Sequence, residues 1–107
     1  MKNIALKYFQ AFSKKDINSL QNIFDEGIVL RDWDIYAEGI HAVLDANSKI
    51  FSTVETIVVT PKNMYQDGNV VIAELDIEIN ASELIKVIDV IEFTCGDKIR
   101  AIRAFKG

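Results

Sequence analysis

Two aspartates and a tyrosine occupy positions where the surrounding pattern predicts apolar side chains. The stretch IKVIDVIEF (85–93) alternates as a strand does, and Asp89 falls in its apolar phase. Asp32 likewise falls in the apolar phase of IVLRDW (28–33), and Tyr8 lies on the apolar face of a helical pattern. Burying a carboxylate is costly, so each aspartate must pair with a cation, accept hydrogen bonds or keep its proton.

These residue types suit general acid–base chemistry. One protonated and one ionised carboxyl in the same site can take up and return a proton, and a tyrosine hydroxyl can donate a hydrogen bond to a substrate. Two of these residues also have purely structural interpretations. Tyr8 could be a core residue with a satisfied hydroxyl, and Asp32 could cap a loop.

For Asp89 the structural alternative is an ion pair with Arg103. If CGD (95–97) forms a tight turn, Thr94 faces Lys98, and counting back along both strands places Asp89 opposite Arg103. Such a buried pair would keep Asp89 ionised and structural. The sequence leaves both possibilities open, a protonated acid and an ion pair.

The first half of the chain, which must position Tyr8 and Asp32, has helical periodicity. Asp16 is a good N-cap for a second, short helix, and Gly27 is expected to end it. A short strand at 28–33 follows, then a loop at DIYAE (34–38), and a third helix runs on from Gly39. The apolar face of the first helix consists of Ile4, Ala5, Tyr8, Ala11 and Phe12.

The second half, which carries Asp89, switches to period two. Pro61 predicts a bulge or an edge position for the first strand of this half. Three helices followed by an antiparallel meander predict an α+β fold, with the helices packed in the concave face of a curved, mainly antiparallel sheet. We expect a cone-shaped α+β barrel with a pocket at its open end. The four strands are predicted at 55–66, 70–80, 83–94 and 98–105.

The composition limits the classes of protein to consider. A chain of 107 residues suggests one domain, 1–107, and its net charge of −4 with no basic stripe argues against nucleic-acid binding. The lone Cys95 cannot form an internal disulfide, which favours a reducing, cytoplasmic setting. The first residues are too often interrupted by polar side chains for a signal peptide or membrane span, and no Cys/His cluster has zinc spacing.

The chain resembles the nuclear transport factor 2-like superfamily, and within it the ketosteroid isomerase and SnoaL-like branch. KYFQAFSKKDINSLQNIF (7–24) is similar to the opening helices of that branch, and IDVIEFTCGDKIRAIRAFKG (88–107) is similar to its closing hairpin. The resemblance covers nearly the whole chain. The superfamily contains isomerases, cyclases, dehydratases, hydrolases and non-enzymes.

The resemblance assigns a role to each of the three residues. Tyr8, eight residues before Asp16, matches the oxyanion-hole tyrosine of ketosteroid isomerases. Asp32, eight residues after Phe24, matches their general base. Asp89, in an IDxxxF strand, matches the aspartic acid that donates the second oxyanion hydrogen bond. The neutral acid of ketosteroid isomerase is itself the established example of this chemistry, so these roles come from the family.

The resemblance therefore implies an isomerase-like enzyme that abstracts a proton next to a carbonyl in a small apolar ligand and stabilises the enolate. It implies no metal and no organic cofactor. A SnoaL-like cyclase, a non-catalytic binding module for a small apolar ligand and a dimerising domain are the alternatives. Trp33 follows Asp32 where the family typically has proline, and the segment between Asp32 and Asp89 is shorter than in ketosteroid isomerases, which argues against a steroid-sized substrate.

The sequence also predicts a dimer interface on the outer sheet face and a set of residues that line the pocket. The outward phase of the last two strands is also apolar, at Ile88, Val90, Ile102 and Ala104, which predicts a homodimer through the outer sheet face. The residues expected to line the pocket are Phe12, Trp33, Tyr36, Tyr65, Val87, Ile91 and Arg103.

Overall fold

The structure is a computed structural model that describes all residues, 1–107. None of its helices is long and apolar enough to cross a membrane. Its elements are α1 (Lys2–Ser13), α2 (Ile17–Ile23), β1 (Phe24–Arg31), β2 (Tyr36–Glu38), α3 (Ile40–Thr53), β3 (Ile57–Asp67), β4 (Val70–Ile79), β5 (Glu83–Phe93) and β6 (Ile99–Lys106).

The six strands form one curved sheet in the order β2-β1-β6-β5-β4-β3. All neighbours pair antiparallel except β1 and β6, which are parallel. The three helices pack on the concave face, where α1 contacts β3 and α3 contacts β1. The predicted α+β architecture is confirmed, although the sheet stays open between β2 and β3 and does not close into a barrel.

The helical half of the chain differs from expectation at two places. Asp16 caps α2 as predicted, because its Oδ1 accepts a hydrogen bond from the Ser19 backbone N–H at 3.1 Å. Gly27 does not end α2 but lies inside β1, where the pairing with β6 shifts register. The expected loop at 34–38 contains the short strand β2, which pairs with β1.

Pro61 behaves as its chemistry requires. It lies in β3, an edge strand, and the register with β4 shifts between Pro61 and Asn63. A strand carrying a residue without an N–H donor is thus bulged and also at the sheet edge, as the sequence predicted.

The hairpin of β5 and β6 contains a bulge that the sequence did not indicate. Phe93 faces Ile99, but Glu92 faces Ala101, so one extra residue, Arg100, is inserted on β6. Every later pair is displaced by one, which places Asp89 opposite Ala104. Of the two possibilities that the sequence left open for Asp89, the ion pair with Arg103 is therefore wrong.

The same bulge reverses the expected faces of β6. Ile102 is buried in the core, and Ala104 faces inward, so neither belongs to the outer face. Arg103 instead lies on the outer face, where it forms a salt bridge with Glu92. The apolar side chains on the outer face of the sheet include Tyr65, Ile72, Ile88, Val90 and Phe105.

Candidate active site

A cavity of about 220 Å³ lies between the helices and the concave face of the sheet. It is larger than the ~150 Å³ cavities that hold benzene and smaller than the ~300–1,000 Å³ pockets of drug-sized ligands. A ligand of one or two small rings fits this volume. Sixteen of its twenty lining residues are hydrophobic, and the others are Asp32, Asp34, Asn47 and Asp89.

Tyr8, Asp32 and Asp89 all line this cavity. They come from three separate parts of the fold: Tyr8 from α1, Asp32 from the turn after β1, and Asp89 from the middle of β5. The curvature of the sheet brings these parts together, because the row of β5 that contains Asp89 faces the helices.

Asp89 is a buried carboxyl without a counter-ion. Its side chain is only 6% exposed, and it takes part in none of the four salt bridges of the protein. Burial, and secondly the charge of Asp32, raises the pKa of Asp89 from its ordinary 3.8 to about 7. Near neutral pH a large fraction of this carboxyl is therefore a hydrogen-bond donor.

Tyr8 is held as a donor for the same reasons. Burial first, then the charges of Asp89 and Asp32, raises the pKa of its phenol well above the ordinary value. Three aromatic rings surround it and fix its orientation, with centroids 5.4 to 6.0 Å away: Phe9, Phe12 and Phe24.

Asp32 both caps a turn and lines the cavity, so the interpretation as a loop cap and the interpretation as a site residue are compatible. Its Oδ1 accepts hydrogen bonds from the backbone N–H groups of Asp34 at 2.7 Å and Ile35 at 2.6 Å. These bonds fix the direction of the carboxyl group, while its Oδ2 accepts no hydrogen bond from the protein.

The structure places the expected lining residues in three groups. Phe12, Trp33 and Val87 line the cavity, and Trp33 is half exposed at its mouth, with the Lys106 Nζ 5.8 Å from its ring centroid. Ile91 faces inward but is fully buried in the core away from the cavity. Tyr36, Tyr65 and Arg103 lie elsewhere.

Those three residues point to the outer face because of strand register. The ring of Tyr36 packs under the Arg31 guanidinium at 4.3 Å, and the Tyr65 hydroxyl donates to Glu74 at 3.0 Å. Arg103 is turned outward by the bulge in β6. Period-two patterns do not reveal which face an aromatic residue takes when the strand is short or bulged.

Sequence reasoning missed Asn47, which lines the cavity from α3. The available signal was its position midway between Val43 and Phe51, four residues from each, in the buried stripe of the helix. The structure contains no group of three or more His, Cys, Asp or Glu side chains placed to hold a metal ion.

Sequence comparison decides the family. The family model of the SnoaL-like domain matches residues 5–102, nearly the whole chain. The chain belongs to the SnoaL-like family. No curated protein matches it by sequence.

Solved structures share the fold of this SnoaL-like protein. A candidate polyketide cyclase from Sinorhizobium meliloti has a TM-score of 0.86 at 17% identity, covering 95% of this chain and 93% of its own. The epoxide hydrolase/cyclase-like enzyme SalBIII, with a role in pyran ring formation in the polyether salinomycin, has a TM-score of 0.84 at 25% identity, covering 99% and 89%. A protein from Catenulispora acidiphila with a ketosteroid isomerase-like fold, in complex with trimethylamine, has a TM-score of 0.83 at 17% identity, covering 94% and 82%.

Proposed function

We propose that this SnoaL-like protein is an isomerase-like enzyme that moves a proton next to a carbonyl group and stabilises the resulting enolate. The observation that carries the proposal is the buried, unpaired carboxyl of Asp89, which shares one apolar cavity with Asp32 and Tyr8. A folded protein retains such a carboxyl at a cost in free energy, which favours a functional role.

The arrangement suggests a mechanism in two proton transfers. The free Oδ2 of Asp32 accepts a proton from the carbon next to the carbonyl, and the C–H electron pair becomes a C=C bond. The carbonyl oxygen gains negative charge and accepts hydrogen bonds from Tyr8 and protonated Asp89. Asp32, now a carboxylic acid, returns the proton to a different carbon of the conjugated system, which regenerates the carbonyl.

Ring closure by a cyclase is the second candidate, supported by the 25% identity to SalBIII over 99% of this chain. In that reaction Asp89 would donate its proton to an epoxide oxygen as the C–O bond breaks. Asp32 would accept the proton of a hydroxyl as its oxygen attacks the epoxide carbon. Both candidates use the same acid and base and differ in the electrophile.

The test uses a small cyclic β,γ-unsaturated ketone, whose conversion to the conjugated isomer is followed by ultraviolet absorbance. We expect turnover by the wild type and a loss of about 10²-fold or more in Asp32→Asn, because general-base catalysis contributes that much. Asp67→Asn makes the same chemical change at an exposed site outside the cavity and should retain activity.

Binding is measured separately with 4-nitrophenol, a phenol whose absorbance reports ionisation in the cavity. Asp32→Asn should still bind it, and Asp89→Ala should bind it at least tenfold more weakly, because a donor to the phenolate oxygen is lost. Binding by the wild type without isomerisation, ring closure or exchange of ketone protons in D₂O would replace the enzyme proposal with a non-catalytic binding module.

A further inference from the structure

The protein buries two polar or charged side chains, Asp89 and Asn47, and both line the same cavity. Asn47 is 2% exposed, and its Nδ2 is the one buried side-chain nitrogen or oxygen without a hydrogen-bond partner in the protein. Native structures satisfy the great majority of such groups, so a buried amide left without a partner requires an explanation.

Folding does not explain an asparagine at this position. Val43 and Phe51, one turn before and one turn after it, are buried apolar residues of the same helix face. A leucine, whose side chain has the same branched arrangement of four heavy atoms, would continue that stripe, has a higher helix propensity and would leave no donor unsatisfied. The position therefore costs stability in the free protein.

The proposed catalytic groups do not satisfy this amide either. None of Tyr8, Asp32 and Asp89 forms a hydrogen bond with its Nδ2. Asn47 is carried by α3, whereas Tyr8 and Asp89 come from α1 and β5, so its side chain lines the cavity from a different wall. A ligand whose carbonyl lies at Tyr8 and Asp89 can thus present a second polar atom to Asn47.

We infer that Asn47 is a specificity-determining residue, whose amide donates a hydrogen bond to a second oxygen of the bound ligand. The preferred ligand is a small, largely apolar molecule of one or two rings with two oxygen functions, one at Tyr8 and Asp89 and one at Asn47. This inference rests on the proposed function, because it takes the cavity as the substrate site. A site built to bond a substrate oxygen rejects the analogue that lacks it, since the buried donor then stays unpaired.

The test measures the affinities of 2-naphthol and of a panel of naphthalenediols by calorimetry. For the wild type we expect at least one diol to bind about tenfold more tightly than 2-naphthol, equivalent to about 1.4 kcal/mol. In Asn47→Leu the affinity for 2-naphthol should stay within about twofold and the advantage of the diol should disappear. Asn47→Leu should also melt at a higher temperature, so loss of folding will not mask the result.

The outcomes separate this inference from the proposed function. A wild type that binds 2-naphthol but prefers no diol overturns the role of Asn47, as does a preference that persists in Asn47→Leu. Diol preference without any turnover of ketones or epoxides supports Asn47 and rejects only catalysis. Failure of every naphthol to bind overturns both, because the cavity would then not be a ligand site.

Discussion

At the scale of single residues, the Asp89 carboxyl couples folding to pH. Its pKa is about 7 in the folded protein and near the ordinary 3.8 when the chain unfolds, so protonation favours the folded state. The associated stability is fully present below pH 3.8 and is lost as the pH rises to about 7. A difference of about three pKa units corresponds to a free energy of unfolding on the order of 4 kcal/mol.

Asp89→Asn should remove this dependence while keeping a hydrogen-bond donor. We expect the free energy of unfolding of the wild type, relative to Asp89→Asn, to fall by that amount between pH 4 and pH 8 in urea titrations. If the difference in free energy of unfolding between the wild type and Asp89→Asn stays constant from pH 4 to pH 8, Asp89 ionises normally in the folded state.

Carboxyl-carbon NMR gives the microscopic check. The Asp89 resonance should titrate near pH 7 in the wild type. In Asp32→Asn it should titrate lower but still above 3.8, because burial is a larger cause of the shift than the charge of Asp32. A midpoint below 3.8 in the wild type would instead indicate that a cation pairs with Asp89 in solution.

At the scale of elements, the bulge at Arg100 decides which β6 side chains face the cavity. Deleting Arg100 leaves Ala101 next to Ile99 and keeps every later pair, including that of Asp89 with Ala104. Only the exposed Arg100–Glu92 contact at 3.4 Å is lost, which is worth about 1 kcal/mol or less. We expect this deletion variant to fold and to bind 4-nitrophenol as the wild type does.

Deleting Arg103 is the matched control, because it shortens the same strand beyond the bulge. The residues after it slide by one, so Phe105 replaces Ala104 opposite Asp89 and its ring enters the cavity. We expect 4-nitrophenol binding to weaken more than tenfold. Equal behaviour of the two deletions, measured by binding and urea unfolding, would contradict the assigned register.

The same bulge marks the limit of what the sequence could predict. Periodicity found all three helices and the four strands of the meander, because each is long enough for several repeats of its pattern. It missed β2, which has three residues, and the extra residue on β6, because an inserted residue leaves no distinct sequence signal. The face assignments of Ile102, Ala104 and Arg103 failed as a result.

The three polar residues of the candidate site were easier to predict than the other residues that line the cavity. Asp89 and Asp32 were identifiable because a charge in an apolar row is anomalous. Tyr8 was identifiable because its hydroxyl lies on an apolar helix face, and the family resemblance supplied its role. Asn47 carries no charge, and a single asparagine in a helix is unremarkable until the structure shows that its amide has no partner. Tyr36 and Tyr65 were misassigned because aromatic residues suit a wet sheet face as well as a pocket.

At the scale of the whole molecule, the convex face of the sheet carries an apolar patch without a covering layer. Ile88 and Phe105 are cross-strand partners there, and they are 36% and 57% exposed. Ile72 and Val90 extend this patch across the neighbouring pair of strands, and charged residues such as Lys86 and Asp76 border it. Exposed apolar patches with a polar border typically mark protein–protein contacts.

We therefore retain the prediction of a homodimer, now through Ile88, Val90 and Phe105 instead of Ile102 and Ala104. Sedimentation velocity should show a dimer of the wild type at micromolar concentration. Ile88→Lys should sediment as a monomer, because two-fold symmetry places the new charge in the interface twice and leaves it unpaired. Ala42→Lys, at an exposed position on α3 on the opposite, concave side of the sheet, should remain dimeric. A monomeric wild type, or dissociation by Ala42→Lys as well, would reject the convex face as the interface.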